Sequence, residues 1–149
     1  MNASKLPSLD CLCATFRRTG RALTQVYETA LRPFGLRVTQ FTILQVLERA
    51  GEVTQGKLGD ILAMDSTSLT RTLKIMVQQG WVAERPGKDR RERWLRLSKS
   101  GAALLKSATP AWEEVQSSLR KAVGEGTWGN LMRWANQVTG IAVTQGESL

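Results

Sequence analysis

The sequence PGKDRRERWLRLS, residues 86–98, carries five basic and two acidic side chains in thirteen positions. The alternation of apolar and polar residues in its second half is typical of a β-strand. A similar short stretch, residues 81–85, lies before it, so the two predict a β-hairpin with a long charged tip. A charge run is usually a solvated loop, and a basic cluster also resembles a localisation signal. A basic tip projected from a hairpin favours a third role, contact with a polyanion.

The positive charge of the chain is concentrated around this hairpin. The chain of 149 residues has a net charge of +8. Residues 66–99 hold nine Lys/Arg and three Asp/Glu, residues 1–65 hold eight and six, and residues 100–149 hold four of each. Three quarters of the net charge thus lies in under a quarter of the chain, which indicates one localised polyanion-binding surface.

Few residues in this chain are suited to enzymatic chemistry. There is no histidine, which excludes histidine acid–base catalysis, a Ser-His-Asp triad and histidine metal sites. Two cysteines, Cys11 and Cys13, are too few for a four-thiolate zinc site. Glycine-rich phosphate loops and the G-x-S-x-G motif are also missing. We therefore predict a protein that is not an enzyme and that needs no metal or cofactor.

The length and the apolar pattern indicate a protein of the cytoplasm. A chain of 149 residues suits one domain with a genuine core. Apolar runs are short and interrupted, well below the ~20 residues of a membrane span. The N-terminal sequence lacks the basic start and long apolar block of a secretory signal. We expect a cytoplasmic location and no membrane partner.

Helical periodicity lies on both sides of the hairpin. Before it, helices are predicted over residues 9–34, 39–50, 54–62 and 66–79. Thr54 is the expected cap of the third helix, and Asp65 and Ser66 are both candidate caps of the fourth. Leu58, Ile61 and Leu62 are expected to face the core. After the hairpin, helical character runs from about residue 104 to 123 and from 127 to about 143. Pro110 is expected either to kink the first of these or to start another helix.

Residues 54–79 have the pattern of a helix-turn-helix, and the hairpin after them is the added strand pair of a winged version. Short hydroxyls and long cations on the second helix suit a DNA major groove. These residues are Ser66, Thr67, Ser68, Thr70, Arg71 and Lys74. The wing tip adds Lys88, Asp89, Arg90, Arg91 and Arg93. An arginine projected from a wing can enter the narrow minor groove of A·T-rich DNA.

The order of elements and four motifs resemble the MarR family of winged-helix regulators. The motifs are DSTSLTR at residues 65–71, GWV at 80–82, DRR at 89–91 and L-x-L-S-x-x-G at 95–101. The resemblance covers nearly the whole chain. It implies a mainly α fold with a small β-hairpin wing (α+β), in a single regulator chain of residues 1–149. The DNA-binding domain is expected at 36–99, between dimerising helices at 9–34 and 100–149.

The resemblance also implies how such a protein works. A homodimer would place one winged helix-turn-helix per subunit on a palindromic operator, with Arg91 as the minor-groove arginine and Asp89 bracing the wing arginines. Members of the family are usually repressors released by a small ligand or by oxidation. We therefore expect a sequence-specific regulator of double-stranded DNA, a repressor with a small aromatic or phenolic molecule as candidate effector. A non-specific basic nucleic-acid-binding protein, which needs no palindromic site, remains an alternative.

Cys13 and Tyr27 resemble the residues of an organic-peroxide-sensing branch of the family, in which tyrosines of the partner subunit hold an oxidisable cysteine. Fourteen helical residues rise ~21 Å, so these two side chains can meet only across a dimer. That branch has a second tyrosine where this chain has Val38, and Cys11 is poorly placed for an unstrained disulfide with Cys13. A thiol-based peroxide-sensing repressor is thus an alternative, as is a structural role for Cys13 as a small buried apolar residue.

Overall fold

The computed structural model of the protein describes residues 6–89 and 91–147, and it is mainly helical with one small sheet. Its helices and strands follow the predicted order. They are α1 (Leu12–Leu31), a 3₁₀ turn (Arg32–Phe34), α2 (Val38–Ala50), β1 (Glu52–Thr54), α3 (Gln55–Leu62), α4 (Ser66–Gln78), β2 (Val82–Pro86), β3 (Arg93–Leu97), α5 (Lys99–Val123) and α6 (Glu125–Glu147). The fold class expected from the sequence, a mainly α protein with a β-hairpin wing, is confirmed.

The core lies where α2 packs between the winged helix-turn-helix and α5. From α2, the side chains of Phe41 and Leu44 are fully buried. Leu58 of α3 is buried and Leu62 packs against the core, as predicted. The expectation for Ile61 is wrong, because this side chain is 49% exposed. A helix of only two turns buries one narrow face, and residue 61 falls on its outer edge.

The sheet has the strand order β1-β3-β2 with antiparallel pairing throughout. The predicted hairpin is β2 and β3, with Val82 opposite Leu97. Strand β1 was not predicted, because three residues are too short to show an alternating pattern. It forms through its neighbour, since Val53 lies opposite the fully buried Leu95. The wing is therefore fastened to the strand that leads directly into α3.

The two C-terminal helices differ from the prediction at their junctions. α5 is one continuous helix of 25 residues with Pro110 inside it, so no new helix starts at that proline. Thr109, just before it, donates its hydroxyl to the carbonyl of Leu105 at 2.7 Å. α5 ends at Gly124, whose φ of 89° an L side chain rarely adopts. α6 then starts at Glu125, two residues earlier than predicted.

α1 and α6 leave much apolar surface exposed in one protomer. Trp134 of α6 is 65% exposed and Leu12 of α1 is 61% exposed. Other large apolar side chains that are at least 40% exposed on these two helices are Phe16, Leu23, Val26, Leu131, Met132, Ile141 and Val143. Among the described helices, none has an apolar stretch long enough to span a bilayer.

Candidate nucleic-acid interface

Side-chain caps define the two helices of the helix-turn-helix. The Thr54 hydroxyl accepts the N–H of Lys57 at 3.2 Å, and the Asp65 carboxylate accepts the N–H of Ser68 at 2.8 Å. Thr54 was the predicted cap of α3, and Asp65 rather than Ser66 proves to be the cap of α4. Each satisfies a backbone donor that the first helical turn leaves unpaired. Hydrogen bonds from Ser68 lower the pKa of Asp65 below its ordinary value. Its charge therefore stays in place at the N-terminus of α4, where the helix dipole favours it.

α4 buries one face and presents the other to solvent. Leu69, Leu73 and Met76 are buried against the core. All six polar residues predicted to contact DNA from this helix are exposed, namely Ser66, Thr67, Ser68, Thr70, Arg71 and Lys74. The spacing of the buried residues turns the hydroxyls and cations outward. Their contacts with DNA stay a prediction.

Gln55, the first residue of α3, was not identified from the sequence. Its side-chain amide donates to the hydroxyl of Thr70 on α4 at 2.8 Å, although the two residues are 15 apart in the chain. A hydroxyl that accepts one hydrogen bond still has its own hydrogen to donate. Thr70 can therefore still act as a donor while it accepts from Gln55. Only the packing of α3 on α4 brings the two together.

The wing tip between β2 and β3 is shaped by main-chain hydrogen bonds. The Asp89 carboxylate accepts the backbone N–H of Arg91 at 3.1 Å, and the Asp89 carbonyl accepts the N–H of Glu92 at 2.9 Å. An Asp that bonds the N–H two residues later forms a turn of its own. In the part of the wing that the structure describes, Asp89 therefore braces the backbone of Arg91. Bracing of the other wing arginines by Asp89, which the resemblance implies, stays a prediction.

The structure describes four of the five predicted wing residues, and all four are exposed. Lys88, Asp89, Arg91 and Arg93 all lie at the surface. Arg90 lies outside the described residues. The guanidinium of Arg93 donates to Glu84 at 3.2 Å across the hairpin, so part of its charge is matched within the wing.

The start of α4 and the wing tip line one concave surface. Gln55 and Ser66 lie on its helical side, and Asp89, Arg91 and Arg93 lie on its wing side. Two sets of residues that were predicted separately are thus neighbours in space. A convex, polyanionic ligand would contact both at once.

Comparisons with known proteins agree with this geometry. The model of the MarR family matches residues 34–92. YwoH, an uncharacterised HTH-type transcriptional regulator of Bacillus subtilis, is 30% identical over 104 residues, which are 70% of this chain and 71% of the relative. The chain belongs to the MarR family. This MarR-family protein is a DNA-binding transcription regulator, and its named relatives are regulators rather than enzymes.

Two further proteins that are similar to this MarR-family chain have named roles. The organic hydroperoxide resistance transcriptional regulator of Bacillus subtilis is 32% identical over 98 residues, which are 65% of this chain and 67% of that regulator. The M. tuberculosis transcriptional regulator MosR, solved in complex with DNA, superposes with a TM-score of 0.83 at 35% identity. That match covers 91% of this chain and 98% of the MosR chain.

The L-x-L-S-x-x-G motif of this MarR-family regulator joins α5 to the winged helix-turn-helix. Ser98 caps α5 by accepting the N–H of Gly101 at 2.9 Å, and its hydroxyl donates to the carbonyl of Gly80 at 2.6 Å. A Cβ on Gly101 would collide with the carbonyl oxygen of Trp81. The start of α5 therefore packs directly on the backbone that follows α4.

The candidate redox residues do not meet within one protomer of the regulator. Cys11 and Cys13 are unpaired and exposed, so the buried structural role considered for Cys13 is not found in the single chain. Tyr27 is half-buried, and its hydroxyl donates to Gln116 of α5 at 2.5 Å. Burial raises the pKa of Tyr27. Contact between Cys13 and Tyr27 across a dimer stays a prediction.

Two aromatic side chains of the helices outside the winged helix-turn-helix, Phe16 and Trp112, lie in different places. Trp112 of α5 packs on Phe41, with ring centroids 5.8 Å apart. Trp112 also lines a groove together with Gln116 of α5 and Trp128 of α6. Phe16, by contrast, is 44% exposed on α1. The groove between α5 and α6 is therefore the place where aromatic side chains converge.

Proposed function

We propose that this MarR-family regulator is a cytoplasmic, homodimeric repressor that binds a palindromic operator. The observation that carries the proposal is the concave surface shared by Ser66 of α4 and Arg91 of the wing. A helix and a wing that line one surface can occupy a major groove and the adjacent minor groove of one duplex. Residues 66–99 supply a charge of +6 for the phosphates on either side.

The exposed polar side chains of α4 and of the wing have proposed roles. Arg71 and Lys74 contact bases or phosphates in the major groove, and Arg91 enters the minor groove. The short hydroxyls anchor α4 to the phosphate backbone. The full set of proposed DNA contacts is Ser66, Thr67, Ser68, Thr70, Arg71, Lys74, Lys88, Asp89, Arg90, Arg91 and Arg93.

The exposed apolar faces of α1 and α6 support a dimer. Leu12, Leu131 and Trp134 are each more than half exposed in one protomer, and covering such side chains is favourable. We assign dimerisation to residues 9–34 and 100–149, and DNA binding to residues 36–99. A two-fold dimer would place the two DNA-binding parts about 34–36 Å apart, one helical turn of DNA. Because the two DNA-binding parts are linked in one dimer, they bind the operator more tightly together than either part would alone.

Fluorescence anisotropy of a labelled palindromic promoter fragment tests the DNA-binding mode at fixed salt. Arg91→Ala is expected to weaken binding by about 1–3 kcal/mol, which is a factor of about 5 to 150. Arg49→Ala removes the same charge from the exposed end of α2, outside the proposed DNA contacts and the dimerisation region, and serves as the matched control with affinity near the wild type. Unchanged affinity for Arg91→Ala would remove the wing from the interface. Equal competition by bulk DNA would favour the non-specific alternative.

The proposed effector is a small aromatic or phenolic molecule bound in the groove between α5 and α6. Trp112 and Trp128 line this groove together with Lys121, so it offers aromatic faces and a cation, whereas the nearby Arg120 is paired with Glu125. Phenolic carboxylates titrated into the complex of protein and operator are expected to release the DNA. Trp128→Ala should raise the ligand concentration needed for release. Release at the same concentration in both proteins would place the ligand elsewhere.

A further inference from the structure

An ion pair on the outer face of the sheet connects its two edge strands. Both carboxylate oxygens of Glu52 on β1 accept from Arg85 on β2, from Nε at 2.8 Å and from Nη2 at 2.7 Å. In the strand order β1-β3-β2 these residues are not on neighbouring strands, so the pair passes over β3. The hydrogen bonds from Arg85 lower the pKa of Glu52, which keeps this carboxylate charged. Bidentate pairing fixes direction as well as distance.

The ion pair continues into the central strand through an aromatic ring. Arg85 lies opposite Trp94 in the register, and its guanidinium carbon is 5.2 Å from the centroid of the Trp94 ring. This is the range of a cation–π contact. The indole N–H of Trp94 donates in turn to the carboxylate of Glu92 at 3.2 Å. Contacts therefore run without a gap from β1 across the sheet to the base of the wing tip.

Glu92 links these contacts to Arg91. Its carbonyl accepts the N–H of Gly87 at 2.7 Å, and its own N–H donates to the carbonyl of Asp89 at 2.9 Å. A Cβ added to Gly87 would lie 2.7 Å from the Cβ of Glu92, so the two sides of the tip pack closely here. Asp89 then holds the backbone N–H of Arg91. The far end of the network is the residue proposed for the minor groove.

We propose that Glu52, Arg85, Trp94 and Glu92 are positioning residues for DNA binding, which hold the wing tip at a fixed place relative to α4. The proposal rests on the minor-groove role proposed for Arg91. None of the four belongs to the proposed DNA contacts. Exposed ion pairs contribute little to folding stability in general. A wing that is ordered before binding loses less conformational freedom when it meets DNA, and this gain appears in affinity.

The variant Glu52→Gln separates this role from simple electrostatics. Loss of a negative charge near DNA, or release of Arg85 to bind a phosphate, would strengthen binding. Loss of a positioning contact would weaken it. We expect operator affinity to fall by roughly 3- to 10-fold, within the range of coupling between neighbouring groups. Glu84→Gln makes the same charge change at the Arg93 pair on the same hairpin, and its affinity should stay equal or rise.

A double-mutant cycle with Arg91 completes the test. In an Arg91→Ala background, Glu52→Gln should change affinity by less than about 2-fold, because the positioned side chain is gone. Arg85→Lys keeps the positive charge but loses the bidentate hydrogen bonding to Glu52, so it should lower operator affinity as Glu52→Gln does. Thermal unfolding of every variant checks that folding is retained, and Arg85→Lys replaces Glu52→Gln if the latter fails to fold.

Three outcomes overturn the positioning role. The first is an operator affinity of Glu52→Gln that equals or exceeds that of the wild type. The second is a loss of affinity with Glu84→Gln as large as that with Glu52→Gln. The third is an undiminished effect of Glu52→Gln on affinity in the Arg91→Ala background. In each of these cases a loss with Arg91→Ala alone would leave the proposed DNA-binding mode standing. No loss with Arg91→Ala would instead refute that mode.

Discussion

Replacing Gly101 with alanine tests how closely the start of α5 packs on the winged helix-turn-helix. Gly101 is the third residue of α5 and is buried. Its added Cβ would collide with the carbonyl oxygen of Trp81 and lie 3.0 Å from the carbonyl carbon of Trp81 and from Cδ1 of Leu97. Backbone atoms cannot rotate away as a flexible side chain can. The start of α5 must therefore move away from residue 81.

The cost follows from what this movement disturbs. Overpacking a close contact costs about 1–3 kcal/mol. The movement also stretches the hydrogen bond from the N–H of Ser98 to the carbonyl of Trp81, now 3.1 Å, and such a bond contributes about 1 kcal/mol. Alanine recovers about 1 kcal/mol through its higher helix propensity. We expect Gly101→Ala to lower the free energy of unfolding by about 1–3 kcal/mol.

Thermal unfolding by circular dichroism measures this effect. For a chain of this size, 1 kcal/mol corresponds to about 2–4 °C, so the midpoint should fall by about 2–12 °C. Protein concentration must be held constant, because the unfolding midpoint of a protein that self-associates depends on it. Gly56→Ala in α3 is the matched control, since nothing lies within 4 Å of its added Cβ. Equal midpoints for the two variants would refute the close approach of α5 to residue 81.

Three further predictions concern single contacts. Tyr27 is the only tyrosine, so an absorbance titration of the folded protein should show its pKa above 10. The free energy of unfolding should decline as the pH rises past the pKa of tyrosine in the unfolded chain, because there the unfolded chain loses the proton while the folded chain still holds it. A midpoint at or below 10 would contradict its burial. Gln55→Ala should weaken operator binding, measured by fluorescence anisotropy, but should have little further effect in a protein that already carries Thr70→Ala. An equal loss of affinity in both backgrounds would show that Gln55 does not act through Thr70. Ser98→Ala should cost about 1 kcal/mol in urea unfolding through loss of the α5 cap, and an unchanged midpoint would argue against that cap.

The sequence predicted the local elements well, because their determinants are local. Thr54 and Asp65 cap the helices they were expected to cap, and Gly80 follows α4 with a φ of 75°. The exposed face of α4 followed from the spacing of its apolar residues. Pro110 was ambiguous, because a proline favours the first turn of a helix and disfavours its interior, whereas α5 continues through it.

The proposed DNA interface could be predicted only in part. Exposure of Arg71 and Arg91 followed from pattern and charge. The contribution of Gln55 did not, because its partner Thr70 is 15 residues away and neither residue type specifies the pair. The same holds for Glu52 and Arg85, which are 33 residues apart. Strand β1, which carries Glu52, is itself too short to be predicted.

The sequence by itself determined the helices, the hairpin, the concentration of positive charge around it, and hence the kind of partner. These properties depend on residue spacing and on charge, which the chain carries whether or not it is folded. The tertiary structure decided which distant polar side chains meet. Glu52 reaches Arg85 only because β1 pairs with β3, and that pairing exists because Val53 and Leu95 are buried together. Burial of apolar residues sets the positions, and the polar contacts that hold Arg91 in place follow from it.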